Sequence, residues 1–256
     1  MTDQTAKAQA FKALHKKGDP VILYNAWDPG SAQVVAGAGA KAIATGSYSV
    51  AAAFGFADGE TTPLDIVLGN CRRIADAVDL PVTLDFEGGY ATQPNGLARN
   101  IAQVIDAGAV GINFEDQVVG GTGLHDTADQ AARIAAVRAA ADRTGGGFFI
   151  NARCDVFLQA DRATHGPALA AAWLERGRAY AEAGANGLFA PGLVDPALIG
   201  ELVQGSPLPL NILMMAGAPD VAALKALGVA RISYGGGPYR VAMRALEAAA
   251  RAVFQS

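Results

Sequence analysis

Four stretches of the chain share one arrangement, a helical pattern that ends in glycine and is followed at once by a short apolar run. They are AGAGAKAIAT at 36–45, DAGAVGINFE at 106–115, EAGANGLFAP at 182–191 and ALGVARISYG at 226–235. Glycine takes the left-handed conformation that stops a helix, and the apolar residues after it read as a buried strand. Four further apolar runs stand between these joints: VILYN at 21–25, PVTLD at 81–85, FFINAR at 148–153 and PLNILM at 209–214. Alanine-rich helical patterns separate them, such as TADQAARIAAVRAAADR at 127–143 and ALAAAWLERGRAYAEAG at 168–184. Strands that are apolar throughout, rather than alternating, belong to a parallel sheet covered on its outer face. Eight of them with intervening helices predict an α/β fold, a closed (β/α)8 TIM barrel in a single domain over residues 1–256. An open doubly wound sheet would call for a G-x-G-x-x-G turn after the first strand, and NAWDPGSAQ is not one. A helix over 2–17 is expected to close the barrel bottom, and a last helix over about 237–254 to end the barrel.

Composition narrows the function more than the fold. The chain is 51% hydrophobic with a net charge of -4 and no basic stripe, which argues against a nucleic-acid partner. No apolar run of membrane-spanning length escapes a glycine, proline or charge, and the N-terminus lacks the apolar core of a signal peptide. A cytoplasmic protein without membrane partners is expected. Its two cysteines, Cys71 and Cys154, make no disulfide framework or zinc spacing and should be free thiols.

In such barrels the chemistry sits where the strands end at their C-terminal side. Those positions are polar here: Asn25, Trp27 and Asp28 after strand one; Thr45, Gly46, Ser47 and Tyr48 after strand two; Asn151, Arg153 and Asp155 at strand five. Asn211 on strand seven and Ser233 and Tyr234 on strand eight continue the series, while strand six ends in the bland Ala190 and Pro191. Tyr48 and Asn211 are candidates for substrate binding. Asp85, Glu87, Glu115 and Asp116 fall on neighbouring strands and would repel one another unless a cation stood between them. Carboxylate oxygens suit Mg2+, or alternatively Mn2+, and no His or Cys cluster supports zinc. Helix capping or pairing with arginine would also account for these acids. All six lysines lie away from strand C-termini, which disfavours a Schiff-base mechanism. Arg153 ends an apolar strand, where its planar fork suits a carboxylate or phosphate, or else neutralises Asp85 or Asp155.

The segments NAWDPGSA, TGSYSVAAAFGFADGE, LPVTLDFEGGY, INFEDQ and INARCDVFL occur together in this order. In them the chain resembles the isocitrate lyase and phosphoenolpyruvate mutase superfamily, from Val21 to about Leu246. That resemblance implies Mg2+, a small 2-oxo acid or dicarboxylate, an enolate-like state, and a homo-oligomer, dimer or tetramer, that often exchanges its last helix. By position it implies Asp85 as the acid nearest the metal, with Glu87 and Glu115 holding it through water. Thr45, Gly46 and Ser47 match the segment that grips the substrate carboxylate. Asp58 matches an acid near the reacting centre, and Arg153 the arginine that clamps the substrate. His125, in the segment that closes over the site in relatives, is a candidate acid or base.

The chain departs from the family pattern in three places. The lyases carry a cysteine in a K-x-C-G-H loop, where this chain reads VVGGTGLHD. Glu87 stands where Asp is usual, and Ile43 and Ala44 replace an aromatic residue before the carboxylate-binding turn. Three activities remain open on this reading: carbon-carbon cleavage by a lyase or decarboxylase, phosphonopyruvate-type carbon-phosphorus hydrolysis or mutation, and 2-oxo acid binding without turnover. The triple glycine after Tyr234 reads equally as a phosphate cradle or a plain turn.

Overall fold

The apolar runs pair side by side into one parallel sheet in a computed structural model that describes residues 3–255. Its strands are β1 (Val21–Leu23), β2 (Ile43–Ala44), β3 (Val82–Asp85), β4 (Gly111–Glu115), β5 (Phe149–Arg153), β6 (Gly187–Ala190), β7 (Leu210–Leu213) and β8 (Arg231–Ser233). They are ordered β1-β8-β7-β6-β5-β4-β3-β2. The seam between β1 and β2 closes just beyond the strands, through a parallel bridge between Ala26 and Thr45. There the Ala26 amide donates to the Ala44 carbonyl at 2.8 Å. Asn25 Nδ2 donates to the Thr45 carbonyl at 2.7 Å. The result is the (β/α)8 barrel that the repeated joints predict. Gly108 and Gly184, at two of those joints, hold φ of +93° and +103°.

Among the described residues eleven α-helices accompany the sheet: α1 (Asp3–Ala13), α2 (Pro29–Gly37), α3 (Ser47–Ala53), α4 (Leu64–Ala77), α5 (Pro94–Asp106), α6 (Thr127–Asp142), α7 (Val156–Gln159), α8 (Pro167–Glu182), α9 (Pro196–Gly205), α10 (Val221–Ala226) and α11 (Gly237–Phe254). Several start on local signals. The Asp28, Asp195 and Asp220 carboxylates accept the amides of Ser31, Ala197 and Ala223 at 2.7, 2.7 and 2.8 Å, and Pro29 and Pro196 open α2 and α9. Asp28 is thus a helix cap and not part of the barrel mouth's chemistry.

Helix α1 lies under the barrel. Its last turn tightens, with Leu14 donating to the Phe11 carbonyl and His15 to that of Lys12, so residues 14–17 form a turn instead of more helix. Position 2, the start of the expected helix, lies outside the described residues. Phe11 meets Phe149 edge-on and His15 stacks on the same ring at 4.1 Å. Gly111 leaves the space beside this ring, because a Cβ there would fall 2.7 Å from the Phe149 carbonyl oxygen. Burial, reinforced by Arg231, lowers the His15 pKa to about 3, so the plug is neutral.

Above the plug the barrel interior is polar. Asn113 Oδ1 accepts from Arg231 Nη2 and from Asn151 Nδ2, both at 2.9 Å. The Asn113 amide nitrogen is thereby turned towards Asp85 Oδ1, 3.3 Å away. A buried amide with its oxygen already doubly engaged has one orientation left, and here it aims a donor at a carboxylate.

Candidate functional site

A pocket of about 160 Å³ opens at the C-terminal ends of the strands. Asp58, Asp85, Arg153, Gly46, Ser47 and Tyr48 line it, six of the eleven residues that the sequence singles out. Asp85 ends β3 and is fixed on both oxygens: Oδ2 accepts the Ser47 amide at 2.9 Å, and Oδ1 the Asn113 amide. Asp58 arrives from the turn after α3, and the Ser47 hydroxyl donates to its carboxylate. Its pKa is raised, chiefly by burial and then by nearby Asp85, with Ser47 and Arg153 opposing.

Arg153 ends β5 with every nitrogen of its guanidinium engaged. Nε and Nη2 grip the two oxygens of Asp155 at 2.7 and 2.8 Å, and Nη1 meets Glu115 Oε2 at 2.6 Å. Burial opposes the charge, but Glu115 and Asp155 outweigh it and keep the guanidinium protonated. The choice between a substrate clamp and a neutralising partner therefore resolves into both positions at once: Arg153 pairs with acids and also faces the pocket. Its partner is Asp155, with Glu115, and no ion pair joins it to Asp85.

Glu87 lies behind Asp85 in a second, smaller space shared with Ser47, Thr45 and Tyr90. Burial first, then the Asp85 charge, raises its pKa to about 7. Glu115 is also raised well above the usual carboxylate range, by burial before all, with Arg153 opposing and Asp155, Asp85 and Glu87 adding to the rise. Mutual repulsion between buried carboxylates is what a cation would relieve. Among the described residues, however, no group of three or more His, Cys, Asp or Glu side chains is arranged to hold an ion directly. The donor set fits Mg2+ in the way that ion is commonly held, through one carboxylate and a shell of water.

Three sequence expectations need correction. Asp116 does not join the acidic cluster: it is fully buried behind the barrel wall, accepting from Tyr180 Oη at 2.7 Å, Arg176 Nη1 at 3.2 Å and the Asp155 amide at 2.9 Å. Adjacent strand residues face opposite sides, so Glu115 pointing inward sends Asp116 outward. Asn211 does not line the pocket; it bonds Ser233 Oγ at 3.2 Å, and Ser233 is the residue exposed to the cavity. Its register partners are Phe189 and Arg231, and both ends of its amide are engaged by Ser233. His125 lines a separate space of about 370 Å³ with Glu60, Tyr90 and Arg133, because its own amide donates to the Asp116 carbonyl and carries it to that side. Burial, then Arg133, lowers its pKa. Thr45 is beside the site, its hydroxyl oxygen accepting the Asp85 amide at 2.9 Å.

Glu60, Tyr90 and Asn113 belong to the site without having been singled out. Glu60, Glu87 and Tyr90 are the non-glycine residues with positive φ among those described, at 57°, 48° and 55°, and they bond one another. The Glu60 amide donates to Glu87 Oε2 at 2.8 Å, the Tyr90 amide to Glu60 Oε1 at 2.7 Å, and Tyr90 Oη to Glu87 Oε1 at 3.3 Å. Left-handed backbone at non-glycine residues is uncommon and costs energy, so three such positions in one network mark a loop contact that the surroundings enforce. Asn113 forms the pocket floor, and its place two residues before Glu115 on β4 puts it on the same inward face. Asn25 accepts the amides of Tyr234 and Gly235 at 2.9 and 2.8 Å, so the glycine run after β8 is a turn tied to the barrel seam. Cys71 and Cys154 are free and buried, as expected.

Residues 11–254 match the phosphoenolpyruvate phosphomutase family. A crystal structure from Burkholderia cenocepacia J2315, provisionally described as a phosphonomutase, is 51% identical, with a TM-score of 0.95 over 97% of this chain and 98% of that one. The 2-methylisocitrate lyase of Escherichia coli strain K12 is 32% identical over 208 residues, 79% of this chain and 68% of the lyase. The structure of phosphonopyruvate hydrolase in complex with oxalate and Mg2+ is 26% identical, with a TM-score of 0.83 over 97% of this chain and 86% of that one. The relatives are enzymes, lyases among them, and no helix among the described residues is long and apolar enough to cross a membrane. The chain belongs to the phosphoenolpyruvate phosphomutase family, within the isocitrate lyase and phosphoenolpyruvate mutase superfamily.

Proposed function

We propose that this protein is a divalent-cation-dependent enzyme, with Mg2+ as its natural ion, that cleaves a carbon-carbon bond in a small 2-oxo or 2-hydroxy acid through an enolate-like state. The observation that carries the reading is the meeting of Asp58, Asp85 and Arg153 in one small pocket, with the repelling pair Glu87 and Glu115 behind it. Asp85 would hold the ion directly and Glu87 and Glu115 through water, and the ion when bound supplies Lewis-acid stabilisation of charge on the substrate oxygens. Ser47 and Gly46 stand where the acid head would lie, and Arg153, held rigid by two acids, adds fixed positive charge beside it.

In the cleavage direction Asp58 is the base. It takes the hydroxyl proton of a 2-hydroxy acid, the carbon bearing that oxygen becomes a carbonyl as the adjoining carbon-carbon bond breaks, and the bonding pair leaves on the other fragment, whose own carboxyl or carbonyl group takes it up as an enolate; solvent water protonates that enolate, and Asp58 returns its proton to solvent. The Ser47 hydroxyl orients Asp58 for this transfer. A panel of 2-oxo and 2-hydroxy acids assayed with Mg2+ for pyruvate or CO2 release is expected to give turnover that Asp85→Ala abolishes. If no acid in the panel is cleaved, or if Asp85→Ala retains activity, the reading fails.

The resemblance to the Burkholderia protein and to phosphonopyruvate hydrolase favours a second reading, phosphonopyruvate-type carbon-phosphorus mutation or hydrolysis with Asp58 near the reacting phosphorus. Phosphorus NMR separates the two, since hydrolysis releases inorganic phosphate and the lyase leaves the phosphonate signal unchanged. The active form is proposed to be a homo-oligomer.

A further inference from the structure

In the proposed cleavage the departing fragment takes the bonding pair into its own carboxyl or carbonyl group. A carboxylate there enters a small pocket, sheds water and needs a donor in exchange. Arg153 has none to spare, because Nε and Nη2 hold Asp155 and Nη1 holds Glu115. Arg231 lies under the floor, where its Nη2 donates to the Asn113 oxygen at 2.9 Å.

Arg240 is a cation at the rim. It stands in the first turn of α11, its amide donating to the Gly236 carbonyl at 3.2 Å. Side chains on a helix lean back towards its N-terminus, and this one returns over Gly236, which lines the pocket. A Cβ built on Gly236 would fall 2.8 Å from Arg240 Nη1 and 2.6 Å from Cδ1 of Tyr48, another lining residue. The guanidinium carbon stands over the Tyr48 ring, 5.4 Å from its centroid. Pocket edge, tyrosine ring and guanidinium nitrogen thus meet at one point.

The backbone does not demand glycine at position 236, since its φ is -76°, a negative value that most residues adopt. What glycine supplies is room, because a side chain would push the ring or the guanidinium aside. Among the described residues no carboxylate pairs with Arg240 and no hydrogen bond engages its guanidinium, whereas Arg72, Arg138, Arg153, Arg176 and Arg251 each have a carboxylate partner. Its donors are free for a ligand.

We infer that Arg240, given room over Tyr48 by Gly236, is a specificity-determining residue that binds a second anionic group on the substrate. The ligand class is a 2-oxo or 2-hydroxy acid with a further acid group on the carbon next to the oxygen-bearing one. That group is a carboxylate if the carbon-carbon bond is cleaved and a phosphonate in the carbon-phosphorus reading. The inference rests on the proposed reading of Ser47 and Asp85 as the acid end.

Calorimetric titration in saturating Mg2+ tests it with four probes. Oxalate is the acid head alone, freshly dissolved oxaloacetate and phosphonopyruvate carry the two kinds of second anion, and 4-methyl-2-oxopentanoate replaces the second carboxylate with an isopropyl group of nearly the same shape. Wild type should bind oxaloacetate or phosphonopyruvate at least about tenfold more tightly than 4-methyl-2-oxopentanoate. Added salt should narrow that ratio, because Arg240 is exposed. Arg240→Met keeps a stem over Tyr48 without the charge, and should abolish the preference while leaving oxalate affinity unchanged; Arg240→Lys should restore part of it. Gly236→Ala, which leaves Arg240 in the chain but takes its room, should also weaken the preference. The anion that loses most in Arg240→Met identifies the second group as carboxylate or phosphonate. Oxalate binding combined with no anion preference in wild type, or with a preference that survives in folded Arg240→Met, overturns the role of Arg240 and leaves the acid end intact. An equal loss of oxalate and oxaloacetate affinity in Arg240→Met makes Arg240 a structural residue and also overturns it. Failure of oxalate to bind wild type removes the acid end, and the role of Arg240 with it.

Discussion

Glu87 is a residue held under electrostatic tension by its surroundings. Its carboxyl is pushed up to about 7 by burial and then by Asp85, from an ordinary 4.5. Raising a carboxyl above its unfolded value means that the folded state prefers the protonated form, so ionisation weakens folding. The penalty is absent below the unfolded value, grows between about 4.5 and 7, and is constant above. Glu87→Gln removes it while keeping an acceptor for the Glu60 amide and a donor for Tyr90 Oη. In cation-free buffer the variant should match wild type near pH 4.5 and exceed it at pH 8, by on the order of 3 kcal/mol at most. Chemical denaturation across that range measures the difference, and Mg2+ should narrow it at pH 8 by neutralising the wild-type pair. Parallel pH profiles would mean that Glu87 is not under this strain. Asp85 and Arg153 are legible at the site because ionisable groups at strand ends stand out against apolar runs, whereas Asp58, in the turn after α3, is legible only through the family resemblance. Glu60 and Tyr90 left no such mark. Their role comes from left-handed backbone and from two loops meeting, which composition does not encode.

At the scale of elements, Asp116 shows how strand alternation divides adjacent acids between two tasks. Glu115 enters the barrel, and Asp116 fastens the end of β4 to α8 through Tyr180 and Arg176 and to β5 through the Asp155 amide. Asp116→Ala leaves a partly buried guanidinium and a buried phenol without their acceptor, and removing one member of a buried pair typically costs about 3–5 kcal/mol. Asp116→Asn, which retains an oxygen for Tyr180 or for the amide, should lose less. Thermal melts are expected to fall in that order, with Mg2+ affinity unchanged in any variant that folds; a weakened Mg2+ response would return Asp116 to the acidic cluster. The barrel itself is legible because glycine joints and fully apolar strands recur, and the four separately bounded runs fall within two residues of β1, β3, β5 and β7. What the pattern could not give was the side each residue faces at the strand ends. Asn211 is a candidate for the pocket by its place on strand seven and His125 by the family's closing loop, yet Asn211 is spent on Ser233 and His125 turns to the neighbouring space. One residue of register decides such cases.

For the whole molecule, the last helix is the element that the barrel leaves least covered. On α11 only Pro238 is buried, while Leu246, Val253 and Phe254 are 63%, 70% and 87% exposed. With Met243 and Ala250 these residues recur at helical spacing along one stripe, and an amphipathic helix that does not bury its apolar face on its own domain has that face available for another surface. A second apolar surface lies along β1 and α2, a groove of about 620 Å³ lined by Ile22, Tyr24, Val34 and Val35 among others. Ile22, Tyr24 and Val34 are themselves exposed, at 42%, 41% and 73%. Each surface is costly in water, and pairing of copies that lays one chain's α11 into another's groove would cover both, in line with the proposed oligomer. Sedimentation velocity at micromolar concentration should therefore show a dimer or tetramer. Leu246→Glu combined with Phe254→Glu should shift the population towards monomer, with a fall in melting temperature that depends on protein concentration in wild type but not in the variant. Ile22→Glu, on the groove, should do the same from the other side. A wild-type monomer, or dissociation by the helix substitutions without any effect of Ile22→Glu, would break the link between the two surfaces.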